Sequence, residues 1–127
     1  MPSIKVPYKI AIIEDDPTIS QMYRFKFEAE GYIVETAENG KLGLSLVKTM
    51  HPDIVLLDLM MPEMNGDQVF AEIRKIEWAK DLKVIILTNM GEQEIPNSIK
   101  TMGVTAIILK ANMTPRQVFE LVKKNLS

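Results

Sequence analysis

The chain contains no cysteine. That absence excludes disulfides, thiol catalysis and thiolate-based zinc sites. Net charge is also scarce: 15 Lys and Arg against 17 Asp and Glu leave −2. Nothing in that balance suggests a nucleic-acid surface. No apolar segment approaches the ~20 residues of a membrane span, and nothing at the N-terminus has the pattern of a signal peptide. Linkers, internal repeats and low-complexity stretches are missing too. The single histidine, His51, precedes Pro52 and is expected in a solvent-facing loop. At 127 residues the chain is expected to be one domain, residues 1–127, long enough to bury a real core. Nine methionines are many, and most are expected to fill core and loop gaps.

What is present is a strand–helix alternation repeated five times. Strands are expected near residues 9–13, 32–36, 53–57, 83–88 and 105–109. The second, Tyr32-Ile33-Val34-Glu35-Thr36, is the least apolar and so the expected edge. A helix near 17–30 carries Ile19, Tyr23 and Phe27 on one stripe and ends at Gly31. A second, near 41–50, carries Leu42, Leu46 and Met50. A third, near 66–79, carries Val69, Ile73 and Ile76. The fourth is short, near 94–102, with Ile95, Ile99 and Met102, and Pro96 suits its first turn only. Thr114-Pro115 opens the fifth, which buries Val118, Leu121 and Val122. These stripes are ordinary sheet-packing faces.

The strand ends carry the chemistry. Ile54-Val55-Leu56-Leu57 ends in Asp58, and the following Leu59-Met60-Met61-Pro62-Glu63-Met64-Asn65-Gly66 turns sharply at Pro62 and Gly66. A strand-terminal Asp on its own more often caps a turn than does chemistry. Two other strand ends change that balance. Ile10-Ala11-Ile12-Ile13 is followed by Glu14-Asp15-Asp16-Pro17. Asp16 before Pro17 is explained as an N-cap. Glu14 and Asp15 repel each other and stay unexplained unless a cation sits there. Val84-Ile85-Ile86-Leu87 ends in Thr88-Asn89, and Ala106-Ile107-Ile108-Leu109 ends in Lys110. A hydroxyl and an ammonium thus arrive at the same edge as the acids, where open α/β sheets place their sites.

In Glu14-Asp15, Asp58, Pro62 and Gly66, Thr88 and Lys110, the chain resembles the receiver domains of two-component response regulators over essentially its whole length. Five separated positions match in order and spacing, so the pattern is specific. The resemblance implies a flavodoxin-like (βα)5 three-layer α/β sandwich with a parallel sheet of order 2-1-3-4-5, the order shared by flavodoxin and chemotaxis receivers. It implies a cytoplasmic phosphoacceptor switch rather than an enzyme acting on other molecules. Asp58 would accept a phosphoryl group from a sensor histidine kinase or a phosphotransfer protein. Mg²⁺ would be the cofactor, with Asp15 and Asp58 as direct ligands, Glu14 acting through the metal's water shell, and the Met60 backbone carbonyl as a third protein ligand. Lys110 and Thr88 would each meet a phosphoryl oxygen. The fourth helix, fifth strand and fifth helix would engage a downstream output protein or an effector domain not in this chain. Ile95, Ile99, Lys100 and Lys123 are candidates there, the two isoleucines being core candidates as well. No direct nucleic-acid or membrane contact is implied.

Three positions depart from the family pattern. Ala111 follows Lys110 where the family usually has proline. Ile107 stands where the family commonly has an aromatic whose ring moves inward on activation, and a stiff β-branched residue cannot flip a ring. Asn89 stands where a small residue is common and narrows the approach to Asp58. The switch is therefore expected to run through Thr88 and the loop from Asn89 to Gln93. Met60 and Met90 occupy the positions that flank the path of a hydrolytic water. Neither can hold a water strongly, so a long-lived phosphorylated state is expected. Two function classes stay open: a phosphorylation-driven switch, and a receiver-like interaction module that is not switched. A flavodoxin needs a first loop that cradles phosphate, and Glu14-Asp15-Asp16 is anionic. A haloacid-dehalogenase-like phosphatase needs a second Asp two positions after the first, and Met60 is there.

Overall fold

In a computed structural model, which describes residues 7–126, the apolar runs form five parallel strands: β1 (Lys9–Ile13), β2 (Ile33–Ala37), β3 (Ile54–Asp58), β4 (Lys83–Thr88) and β5 (Ala106–Leu109). Their order is β2-β1-β3-β4-β5, as expected, with β2 at one edge. The registers bring the functional ends level. Ile13 lies beside Leu57, Asp58 beside Leu87, and Thr88 beside Leu109.

Alternate residues of each strand enter opposite cores. Ala11, Ile13, Val55, Leu57, Val84 and Ile86 pack with α2 (Gly40–Met50), α3 (Gly66–Arg74) and α4 (Asn97–Thr101), through Val47, Phe70, Ile73 and Ile99. Ile10, Ile12, Leu56, Ile85 and Leu87 pack with α1 (Pro17–Ala29) and α5 (Pro115–Leu126), through Tyr23, Phe27, Val118 and Phe119. The result is a three-layer sandwich whose central strand, β3, is buried at every residue because helices cover both of its faces. Asp16 caps α1 as its place before Pro17 suggested, accepting from the N–H groups of Thr18 at 2.9 Å and Ile19 at 3.3 Å. His51 is exposed, with a left-handed φ of 51°, and its ring stacks on Trp78 at 4.0 Å.

Three expectations need correction. The packing face of α2 is Gly40, Gly43 and Val47, and Leu42 is 50% exposed while Leu46 and Met50 are only partly buried. The helix lies so close to β1 that a Cβ on Gly43 would stand 2.6 Å from Ile13 Cγ2. Counting apolar side chains skips a glycine face. The third helix stops at Arg74, because Ile76 turns to an extended conformation before a short 3₁₀ turn at Glu77–Ala79. Helix α4 starts at Asn97 rather than near 94, since Pro96 has no N–H to give and holds the residue before it out of the helix. Ile95 and Ile99, 7% and 0% exposed, belong to the core, one of the two places their sequence context left open.

Arg74 is a tie that the pattern did not suggest. Its guanidinium donates to the carbonyls of Ala79, Leu82, Met102 and Gly103 at 2.8–3.0 Å and lies over the Phe70 ring. It fastens the end of α3 to the start of β4 and to the C-terminal end of α4.

The corrected α2 face is open to test by urea denaturation. Val47→Ala should cost about 2 kcal/mol, whereas Leu42→Ala should stay within about 0.5 kcal/mol. Equal costs at the two positions would contradict this packing.

Candidate functional site

Glu14 follows β1 directly. Its N–H donates to Ala37 O at 3.0 Å, which extends the β1–β2 ladder by one residue and fixes its backbone. The side chain turns inward and is fully buried. Asp15, next along, stays exposed. Asp58 ends β3 and is 3% exposed, and the following N–H, of Leu59, donates to Leu87 O at 3.0 Å. One oxygen from each of Glu14, Asp15 and Asp58 lies within 4.8 Å of the other two.

Lys110 crosses this group. Its Nζ donates to Glu14 Oε1 at 2.6 Å and lies 3.3 Å from Asp58 Oδ1. One ammonium therefore serves two buried carboxylates while a third stands at the rim. Burial pushes the Asp58 carboxyl up to about 8, aided by the hydrogen bond and charge of Glu14 and only partly opposed by Lys110. Burial alone would pull Lys110 down. The Glu14 hydrogen bond and the Asp58 charge outweigh it and hold the ammonium above its ordinary value. The cluster is short of positive charge.

The loop after β3 is shaped for this. Gly66 N–H donates to Leu59 O at 2.8 Å, and a Cβ on Gly66 would stand 2.3 Å from the Asp58 carbonyl oxygen. Only glycine lets α3 begin against the backbone of the site. Asn65 and Gln68 lock that start, with Asn65 N–H donating to Gln68 Oε1 at 3.0 Å. Glu63 takes a left-handed φ of 68° inside the loop, a conformation that a side chain resists. Met60 gives its N–H to Asp58 Oδ1 at 3.3 Å, and its side chain is 59% exposed.

Thr88 ends β4 one residue beyond the Asp58 partner Leu87, and it is buried. Its Oγ1 accepts from Met90 N–H at 3.0 Å, so its own proton remains to be donated. The expected site residues thus fall into two groups. Glu14, Asp15, Asp58 and Lys110 meet by distance, and Thr88 joins them by register. The Lys110–Glu14 contact, the Glu63 strain and the Asn65–Gln68 lock were not foreseen. Asn65 followed three residues later by Gln68 is the pattern of a helix start and could have revealed the last of these.

Comparison with known proteins gives the same picture. Residues 10–123 match the model of the response regulator receiver domain. The regulator RpaA of Synechocystis is 38% identical over 84 residues, 66% of this chain and 35% of that protein. The regulator GlrR of Escherichia coli is 37% identical over 106 residues, 82% of this chain and 23% of that protein. The chain thus spans about a third or less of those relatives' length. Among solved structures, chemotaxis protein CheY4 of Vibrio cholerae superposes with a TM-score of 0.85 at 25% identity, covering 92% of this chain and 97% of that one. Response regulator TrrA of Thermotoga maritima, solved in complex with Mg²⁺ and BeF, gives 0.80 at 32% identity, covering 92% and 97%. The match over residues 10–123, on a sheet of the same strand order, shows that the chain belongs to the response regulator receiver domain family.

Proposed function

We propose that the chain is a phosphoacceptor switch in which Asp58 takes a phosphoryl group from the phosphohistidine of a sensor kinase or phosphotransfer protein. The observation that carries this is the charge shortfall: three carboxylates converge at the strand ends, and among the described residues Lys110 is the cation paired with them. An anionic donor needs more positive charge than that. Hard oxygen donors clustered within 4.8 Å suit Mg²⁺, which TrrA carries together with BeF. Asp15, Asp58 and the Met60 carbonyl would hold the ion, with Glu14 behind its waters. When bound, Mg²⁺ would neutralise the acids and polarise the phosphoryl oxygens.

The residues of the chain do the rest. An oxygen of Asp58 attacks phosphorus in line, forming an acyl phosphate as the N–P bond breaks and the imidazole keeps the electron pair. Lys110 keeps its ammonium beside Asp58 and meets one phosphoryl oxygen. Thr88 turns its hydroxyl to donate to another. It thereby leaves Met90 and the following loop to readjust, which carries the signal to the face formed by α4, β5 and α5. That face would meet an output protein or effector domain, in the cytoplasm. The same site would release phosphate slowly and act on no other substrate.

Three outcomes are expected. Incubation with acetyl phosphate and Mg²⁺ should add one phosphoryl group to the parent and none to Asp58→Asn, measured by intact mass; a parent that gains nothing is an unswitched interaction module. The second concerns pH. Folded Asp58 keeps its proton up to about 8, whereas the unfolded chain loses it near 3.8. The stability this proton gives is fully present below the unfolded value and is lost as pH rises through the folded one. In EDTA, melting temperature should therefore fall between about pH 4 and pH 8 in the parent and fall less in Asp58→Asn. Mg²⁺ at the upper end should restore several degrees to the parent alone; parallel curves would argue against the site. The third follows from Met60 and Met90, which offer no polar group to orient a hydrolytic water. Met60→Asn with Met90→Glu should shorten the lifetime of the phosphorylated protein several-fold after donor removal, and an unchanged decay would show that the methionines do not shield it.

A further inference from the structure

The loop after β3 holds Met60 from both sides. Its own N–H donates to Asp58 Oδ1 at 3.3 Å, and the next N–H, of Met61, donates to Asn65 Oδ1 at 3.4 Å. The two tethers differ in kind. The first ends on the reacting carboxylate, whose oxygens are claimed by whatever that carboxylate meets. The second ends on a neutral amide that takes no part in the chemistry. It is also needed where it stands, because Met61 is 5% exposed and its N–H has little water to turn to. Asn65 is itself held. Its N–H donates to Gln68 Oε1 at 3.0 Å, and its carbonyl accepts from the N–H groups of Gln68 and Val69 at 3.0 and 3.1 Å. A tight turn brings it back toward Met61: Met64 N–H donates to Pro62 O at 2.7 Å, around Glu63 at its left-handed φ of 68°.

The N–H of Met61 and the carbonyl of Met60 are the two ends of one peptide plane. In a trans peptide they point in opposite directions, and the plane turns as a unit. Anchoring the N–H therefore sets where the carbonyl points. We propose that Asn65 is a positioning residue for divalent-cation binding: by accepting from Met61 N–H it aims the Met60 carbonyl, the one neutral protein ligand of the proposed Mg²⁺ site. This rests on the reading of Glu14, Asp15, Asp58 and Met60 as that site and names the residue that fixes its geometry. Mg²⁺ demands near-octahedral ligands at about 2.0–2.1 Å. A carbonyl free to rotate must be ordered when the ion binds, whereas one already aimed carries no such cost. The tether through Asn65 survives when the Asp58 oxygens are drawn to other partners, because it does not involve them.

Mg²⁺ titration of the whole chain tests this, followed by the amide resonances of Asp58 and Leu59 at one fixed pH and at a temperature where each variant is folded. Asn65→Ala should weaken Mg²⁺ binding roughly tenfold, the low end for partners that orient metal ligands. Asn65→Asp keeps an acceptor oxygen on the same short side chain and should bind at least as tightly as the parent. Without metal, the Met61 amide hydrogen should exchange with solvent at least about tenfold faster in Asn65→Ala than in the parent, because it has lost its acceptor. Val122→Ala opens the core on the opposite face of the sheet, among Val118 and Phe119, and should leave the Mg²⁺ affinity unchanged. That arm separates the aim of the carbonyl from the stability of the fold. Equal Mg²⁺ affinity in Asn65→Ala and the parent, weaker binding by Asn65→Asp, unchanged Met61 exchange, or an equal loss in Val122→Ala would overturn the proposal and leave the metal site standing. A parent that binds no Mg²⁺ would overturn the site itself, and the role of Asn65 with it.

Discussion

One ammonium set among three carboxylates governs this molecule. Lys110 reaches Glu14 at 2.6 Å and Asp58 at 3.3 Å, and both acids are shielded from water. Charges removed from water must be paired or they neutralise themselves. Lys110 satisfies part of that demand, and the remainder appears as a raised Asp58 carboxyl. A site left in that condition favours a cation. The same shortage that makes the cluster costly to the fold makes it receptive.

The fold exists around that edge. Parallel strands all point the same way, so each delivers its last residue to one side of the sheet. Registers from β1 to β5 set Asp58 beside Leu87 and Thr88 beside Leu109, which brings an acid, a hydroxyl and, one residue on, a lysine together from distant parts of the chain. Local devices hold the pieces still. Asp16 caps α1 behind the acids, and Gly66 lets α3 start against the Asp58 carbonyl. Arg74 fastens α4 at its C-terminal end.

Much of this was legible in the residues because it rests on period and position. Ile10 to Ile13, Ile54 to Leu57 and Val84 to Leu87 are apolar runs that suit strands buried on both faces, and each is followed by a polar residue at the same edge of the sheet. The α2 face was not legible, because glycine packs by having no side chain to count. Neither was the end of α3 at Arg74, whose arginine looks like a surface residue until its four carbonyl partners are seen. Ile95 and Ile99 were core candidates by spacing and output-face candidates by resemblance, and their burial with Val84 and Ile86 decides for the core. The Lys110–Glu14 bond spans 96 positions of sequence, a separation at which no local pattern reports contact.

The direct measurement is the ¹³C carboxyl titration of Asp58 with and without Mg²⁺. Without metal the resonance should titrate with a midpoint near 8, because burial and Glu14 hold the proton in place. With Mg²⁺ the midpoint should fall toward the ordinary carboxylate range, because the ion supplies the missing charge. An Asp58 that titrates as an ordinary carboxylate without metal, or whose midpoint does not move when Mg²⁺ is added, would contradict the charge shortfall on which the account stands.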